Sequence, residues 1–151
     1  MIMRRLALTI AIAIFLAAGA ARAFEASGAD IIGLRLGMSE ADVVAGLAEQ
    51  GYTAARGPDA ITTTTRDGRL QVVLSPERGV TEITYVFFWR GAGAPIKIHD
   101  SIVVRFGNPD QATPPTWCRA VGKDGICPAN QASMTYLQDA LTLRLTAGRG
   151  Q

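Results

Sequence analysis

Apolar and polar positions along the chain follow two alternating periods, 3.6 residues and then 2. Val43, Val44 and Leu47 form a helical stripe, which predicts a helix from about Glu40 to Gln50. Ser39 is its N-cap candidate, with Asp42 near the capping-box position and Met38 and Val43 placed for a hydrophobic staple. Gly51 is the expected residue just past its end. After Tyr52 the period drops to 2. Ile61 and the threonines around it favour extended chain over 60–66, Asp67-Gly68 reads as a turn, and 69–75 as a second strand. Residues 76–79 make another turn into the strongest strand signal of the protein, 80–90 (VTEITYVFFWR).

The order then recurs. Gly91-Ala92-Gly93-Ala94-Pro95 is a small-residue joint, and Ile98, Ile102, Val103 and Phe106 recur at helical spacing with Pro95 in the first turn. Gly107 and Pro109 close that helix. Further strands are expected over 116–121, at Ile126, and over 132–137 and 140–146. In the last, Leu141, Leu143 and Leu145 share a face opposite Thr142, Arg144 and Thr146. Residues 24–30 read as a flexible lead-in, and the tail beyond Ala147 as frayed. The fold class expected is α+β. It comprises two tandem helix-plus-antiparallel-strands units, 31–90 and 95–147, sharing one curved antiparallel sheet with the helices packed on one face. Units of this size rarely bury enough surface alone, so 24–151 is expected to be a single domain.

Ahead of this pattern stands a different one. Arg4 and Arg5 precede a core, 6–18, that is apolar except for Thr9, and Ala21-Arg22-Ala23 follows. A basic start, a short apolar core and an A-x-A end make a secretory signal peptide, with cleavage expected after Ala23 and Ala18-Gly19-Ala20 as a second option. An uncleaved anchor is the alternative, but the core is short of the roughly 20 apolar residues that span a bilayer. The arginine pair also fits twin-arginine export, although so apolar a core suits the general secretory route. No cysteine follows the cleavage point, so a lipid anchor is not expected. The style of the leader points to a bacterial periplasm or the medium.

Removing 1–23 changes the composition. The whole chain carries 15 cations against 13 acids, and the leader holds Arg4, Arg5 and Arg22 and no acid, which leaves 12 against 13, a net charge of −1. That balance, without a basic patch, argues against nucleic acid as a partner, and no transmembrane segment is expected in the mature chain. In an oxidising compartment Cys118 and Cys127 are expected to pair across the turn Gly122-Lys123-Asp124-Gly125, in a hairpin. Their spacing is not the C-x-x-C of a redox motif.

Catalytic chemistry is thinly represented. His99-Asp100 with Cys118 invites a thiol-protease reading, which an oxidised Cys118 forbids, and a partly exposed histidine on a helix accounts for His99. One histidine and scattered acids match no zinc or calcium signature, and no dinucleotide or P-loop glycine pattern occurs, so no metal or cofactor is expected. The aromatic run is more informative. On a strand Tyr85, Phe87 and Trp89 face one way and Val86 and Phe88 the other, and only one face is covered by helices. Together with Trp117 in its loop, Tyr85, Phe87 and Trp89 are the candidate interaction surface. The competing reading buries both sets in the core.

The stretch Gly33-Leu34-Arg35-Leu36-Gly37-Met38-Ser39-Glu40-Ala41-Asp42-Val43 resembles the G-x-x-x-G-M-[ST]-x-x-x-V opening of the SmpA/OmlA (BamE-like) outer-membrane assembly lipoproteins and of the related beta-lactamase-inhibitor-protein-like fold. The second helix, ending Val103-Val104-Arg105-Phe106-Gly107-Asn108-Pro109, is similar to the other end of that motif. The resemblance implies helices packed on an antiparallel sheet, repeated in tandem in the inhibitor, and protein binding as the activity. It carries over no functional residue, and the lipoprotein cysteine is absent. The reading that follows is a non-catalytic, exported protein-binding module acting on another envelope or secreted protein, in envelope assembly or as an inhibitor. The alternatives are a carrier of a small apolar ligand or lipid, which a deep cavity lined by Tyr85, Phe87 or Trp89 would favour, and a small hydrolase dependent on His99.

Overall fold

The computed structural model describes residues 24–26, 28–89 and 91–149; the expected leader and its cleavage point lie outside the described residues. The chain is α+β. Its elements are α1 (Glu40–Glu49), β1 (Ala55–Arg56), β2 (Ala60–Thr64), β3 (Gly68–Ser75), β4 (Gly79–Phe87), α2 (Ala94–Phe106), β5 (Gln111–Ala112), β6 (Pro115–Cys118), β7 (Ser133–Leu137) and β8 (Thr142–Thr146). Among the described residues one eight-stranded sheet holds all the strands in the order β1-β2-β3-β4-β8-β7-β6-β5, every pair antiparallel. The two edge strands have two residues each, which leaves little exposed backbone for another chain to pair with.

Local sequence sets the ends of α1. The Ser39 hydroxyl accepts from the Asp42 amide at 3.2 Å and donates to the Asp42 carboxylate at 2.7 Å, so Asp42 supports the cap through its side chain. At the other end Gly51, with φ +80°, donates to the Ala48 carbonyl while Tyr52 donates to that of Leu47, a Schellman closure. Helix α2 starts at Ala94 with Pro95 in its first turn, and Gly107 closes it by donating to the Val103 carbonyl at 2.8 Å.

Register divides the sheet into two chemically distinct faces. Ile61, Val72, Ile83, Leu145, Met134 and Trp117 are paired in turn across β2, β3, β4, β8, β7 and β6, and all are buried. Val43 and Leu47 from α1 and Ile98 and Ile102 from α2 join that row in a single core. On the other face Thr62, Gln71, Thr84, Arg144, Thr135 and Thr116 are paired in the same way. Four of that row are threonines, whose β-branched side chains suit the pleat; Gln71 and Arg144 in it are exposed and Thr116 is buried.

Three expectations need correction. The lead-in is packed rather than loose: Ala26 and Ala29 are buried, Glu25 pairs with Arg119 at 3.8 Å, and the Phe24 ring meets the Phe106 ring edge-on at 6.0 Å. No strand forms at Ile126; β6 stops at Cys118 and takes β7 as its partner. Its turn chemistry closes a small loop instead, with Gly122 donating to the Ile126 carbonyl and Ile126 to the Asp124 side chain. Finally, β4 ends at Phe87, short of Trp89. It also contains a bulge: Val73 faces Glu82 while Leu74 faces Val80, so Val80 and Ile83 both reach the core.

Candidate binding cleft

Where the end of β4 passes under α2, a cleft of about 340 Å³ opens between helix, sheet and the segment before α1. Its floor is Tyr85, Phe87 and Leu143 from the sheet, with Ile98 and Ile102 from the helix; Trp89 and Phe106 stand at its ends. Helical spacing explains the wall. Ile98 and Ile102 point into the core, which leaves Ser101 and Arg105 along the cleft edge. Asp30, Ile31 and Ile32 form the opposite side, with Asp67 near the β2–β3 turn.

Hydrogen bonds hold this arrangement. The Thr65 hydroxyl lies 2.7 Å from the Tyr85 phenol and accepts from the Gly68 amide at 3.0 Å, tying the floor to the turn. Gly68 has no side chain for a reason: a Cβ there would lie 2.5 Å from the Tyr85 ring. Burial raises the Tyr85 pKa above that of an ordinary phenol, the Thr65 hydrogen bond opposes this, and the nearby Asp67 charge adds to the rise. Tyr85 is therefore a neutral, fixed polar group. Its ring meets Phe87 edge-on at 4.9 Å.

At one end the Arg105 guanidinium donates to Asp30 at 2.7 Å and sits 5.0 Å from the centre of the Phe106 ring. Partial burial works to raise the Asp30 pKa. The Gly33 amide, the Arg105 hydrogen bond and the charges of Arg105 and Arg35 outweigh it and hold the carboxyl below its ordinary value. At the other end the Lys97 ammonium lies over the Trp89 ring, 5.4 Å from its centre.

Of the residues marked out by sequence, Tyr85, Phe87 and Trp89 come together on this cleft. Only Trp89, 45% exposed, is substantially at the surface; Tyr85 is buried and Phe87 half-buried. Trp117 is not part of it. It is fully buried, and its indole N–H donates to the Gly107 carbonyl at 2.8 Å. As a surface, then, the quartet is corrected: Tyr85 and Trp117 lie on the helix-covered face, where large apolar rings gain most from burial. The opposing face exposes Val86 and, just past the strand, Phe88 is also partly exposed. Sequence reasoning missed Asp30, Ile31, Ile32, Asp67, Ser101 and Arg105. The i, i+4 spacing of Ser101 and Arg105 beside an apolar stripe was the available signal; nothing local points to Asp30 across the gap.

Cys118 and Cys127 are bonded, with Cα atoms 6.0 Å apart. Their amides donate to the Asp110 and Gln111 side chains at 2.9 Å each, which anchors the loop beside β5. The bond leaves Cys118 without a nucleophilic thiol. His99 is 3.7 Å from Asp100, and its ring lies 6.4 Å from those of Trp117 and Tyr136. Among the described residues no group of three or more His, Cys, Asp or Glu side chains is placed to hold a metal ion, and no helix is long and apolar enough to cross a membrane. A second, larger cleft of about 540 Å³ and mixed lining lies where the start of α1 meets the β3–β4 turn, and its Arg56 and Glu40 are paired at 3.3 Å. Its walls mix Ile61 and Leu74 with the charged Glu40, Arg56, Asp59 and Glu77 and hold no aromatic ring, so the smaller, aromatic-lined cleft is the stronger candidate for binding an apolar group. Comparison with protein-family models, curated proteins and solved structures returned no match.

Proposed function

We propose that this chain is an exported, non-catalytic binding module that receives an apolar group of another envelope or secreted protein in the cleft beneath α2. The observation that carries the reading is the convergence of Tyr85, Phe87 and Trp89, from one strand and its continuation, on an open apolar cleft. Large apolar side chains left partly uncovered beside a preformed cleft are a common feature of interaction sites. The leader-like N-terminus and the Cys118–Cys127 bond are consistent with an oxidising compartment outside the cytoplasm. On this reading the chain is a pair of tandem units, α1 with β1–β4 and α2 with β5–β8, joined where β4 meets β8. That arrangement agrees with the resemblance to the BamE-like and inhibitor-like proteins, and envelope assembly and inhibition of a secreted enzyme remain its two versions.

The test is site-specific photocrosslinking in intact cells, with the reactive side chain at Ser101 beside the cleft or at Gln71 on the opposite sheet face. A discrete protein adduct from position 101 and none from position 71 is the expected result. Adducts that do not depend on position would overturn the proposal. The cleft volume also favours a second reading, a small apolar ligand, because about 340 Å³ lies within the roughly 300–1,000 Å³ of small-molecule sites. Native mass spectrometry of the exported protein separates the two, since a carrier retains a bound mass.

A further inference from the structure

Resting on the cleft as the working site, we infer that its occupant is an apolar residue of a partner polypeptide followed directly by an acidic one, the carboxylate meeting Lys97. Three observations lead there. The charges at the cleft are not equally committed: Arg105 is held by Asp30 at 2.7 Å and Asp67 has Arg66 at 4.0 Å, whereas among the described residues no carboxylate lies within ion-pair distance of Lys97. Lys97, itself outside the cleft lining, instead rests on Trp89, so a group that covers the Trp89 ring at that end of the cleft has the ammonium beside it. Apolar surface also lies beside Lys97 at and beyond that end of the cleft: Trp89, under its ammonium, is 45% exposed, and Ile96, the residue before Lys97, 64%. A small amphiphile would fill the cleft and leave that apron wet; a polypeptide covers both.

The contact is rim-exposed, so its contribution is modest and salt-sensitive. A pair of this kind corresponds to a two- to fivefold preference, roughly. Labelled, capped peptides carrying Phe, Trp, Leu or Ile before Asp, Asn or Lys are titrated into the exported protein and followed by fluorescence anisotropy. Asp-bearing peptides should bind about two- to fivefold tighter than their Asn counterparts. The preference should vanish in 0.5 M salt, roughly, and reverse toward Lys-bearing peptides in Lys97→Glu. Ser101→Trp, at an exposed position on the cleft edge, should fill the cleft and abolish binding of every peptide. Both substitutions are at exposed positions, and unchanged melting confirms that the variants fold. Equal binding of Asp and Asn peptides, still lost in Ser101→Trp, overturns the charge inference and leaves the cleft reading standing. Binding indifferent to Ser101→Trp, or retention of octanoate with no peptide binding, overturns both.

Discussion

Gly79→Ala tests how the segment before α1 is held to the sheet. Gly79 begins β4 with φ +67°, and a Cβ there would run into the carbonyl oxygens of Met38 and Gly37. Those carbonyls belong to the segment that bridges onto β4 through Gly37 donating to Val80 at 2.8 Å and Val80 donating to Met38 at 2.9 Å. An alanine therefore acts twice. A left-handed backbone costs a residue with a Cβ about 1–2 kcal/mol. Separating the two chains to make room sacrifices two hydrogen bonds, about 1 kcal/mol each. The stiffer unfolded chain returns about 0.4–1 kcal/mol, so the net loss is about 3 kcal/mol. Gly51→Ala is the control, because Gly51 has φ +80° but open space where its Cβ would go, so that only the backbone term applies, about 1 kcal/mol. Urea unfolding of both variants under non-reducing conditions measures the difference directly. If the two lose stability equally, within about 0.5 kcal/mol, the close approach is not what requires glycine at 79.

Further tests address the disulfide, the cap, the ion pair and the two tryptophans. Replacing Cys118 and Cys127 together with alanine should cost about 2–3 kcal/mol, the loop-closure value for a separation of 9, and an unchanged urea midpoint would refute a stabilising bond. Ser39→Ala should remove about 1 kcal/mol by leaving the Asp42 amide unpaired, read by thermal melting. Because the folded pKa of Asp30 lies below its ordinary value of 3.8, its ion pair with Arg105 stabilises above that pH and is lost as pH falls through the folded value. The stability gap between the parent and Asp30→Asn should therefore be present at neutral pH and close below pH 3.8; a gap that persists in acid refutes the assignment. Acrylamide should quench Trp89 and spare the fully buried Trp117, so Trp89→Phe should remove most of the quenchable emission.

Much of the fold is legible in short stretches of sequence. The start of α1 follows from Ser39 and Asp42, its end from Gly51, and that of α2 from Gly107, because caps are made by residues within one turn of one another. The β2–β3 and β3–β4 turns are legible for the same reason. The failures share a different cause. Gly122-Lys123-Asp124-Gly125 correctly predicts a reversal, yet Ile126 gains no strand partner because Trp117 pairs instead with Met134, which is distant in sequence. Likewise the bulge that turns both Val80 and Ile83 inward breaks a strict period of 2, and only the paired strand reveals it.

The candidate site divides along the same line. Sequence alone determined that the stretch 80–90 carries an unusual aromatic load and that Tyr85 and Phe87 share a side, because alternation is a property of any extended backbone; Trp89 lies past the strand end and reaches the same cleft only in the folded chain. It also determined the amphipathic character of α2 and the pairing partners available to Cys118. Which side of the strand the helices cover was decided only by the tertiary structure, since Val86 and Phe88 are apolar too and either face satisfies the local pattern. The same holds for Asp30 reaching Arg105 and for Lys97 settling on Trp89. Those contacts join segments that no local rule connects; they exist because burying one face of eight strands under two helices brings their edges together around a gap that the core side chains do not fill.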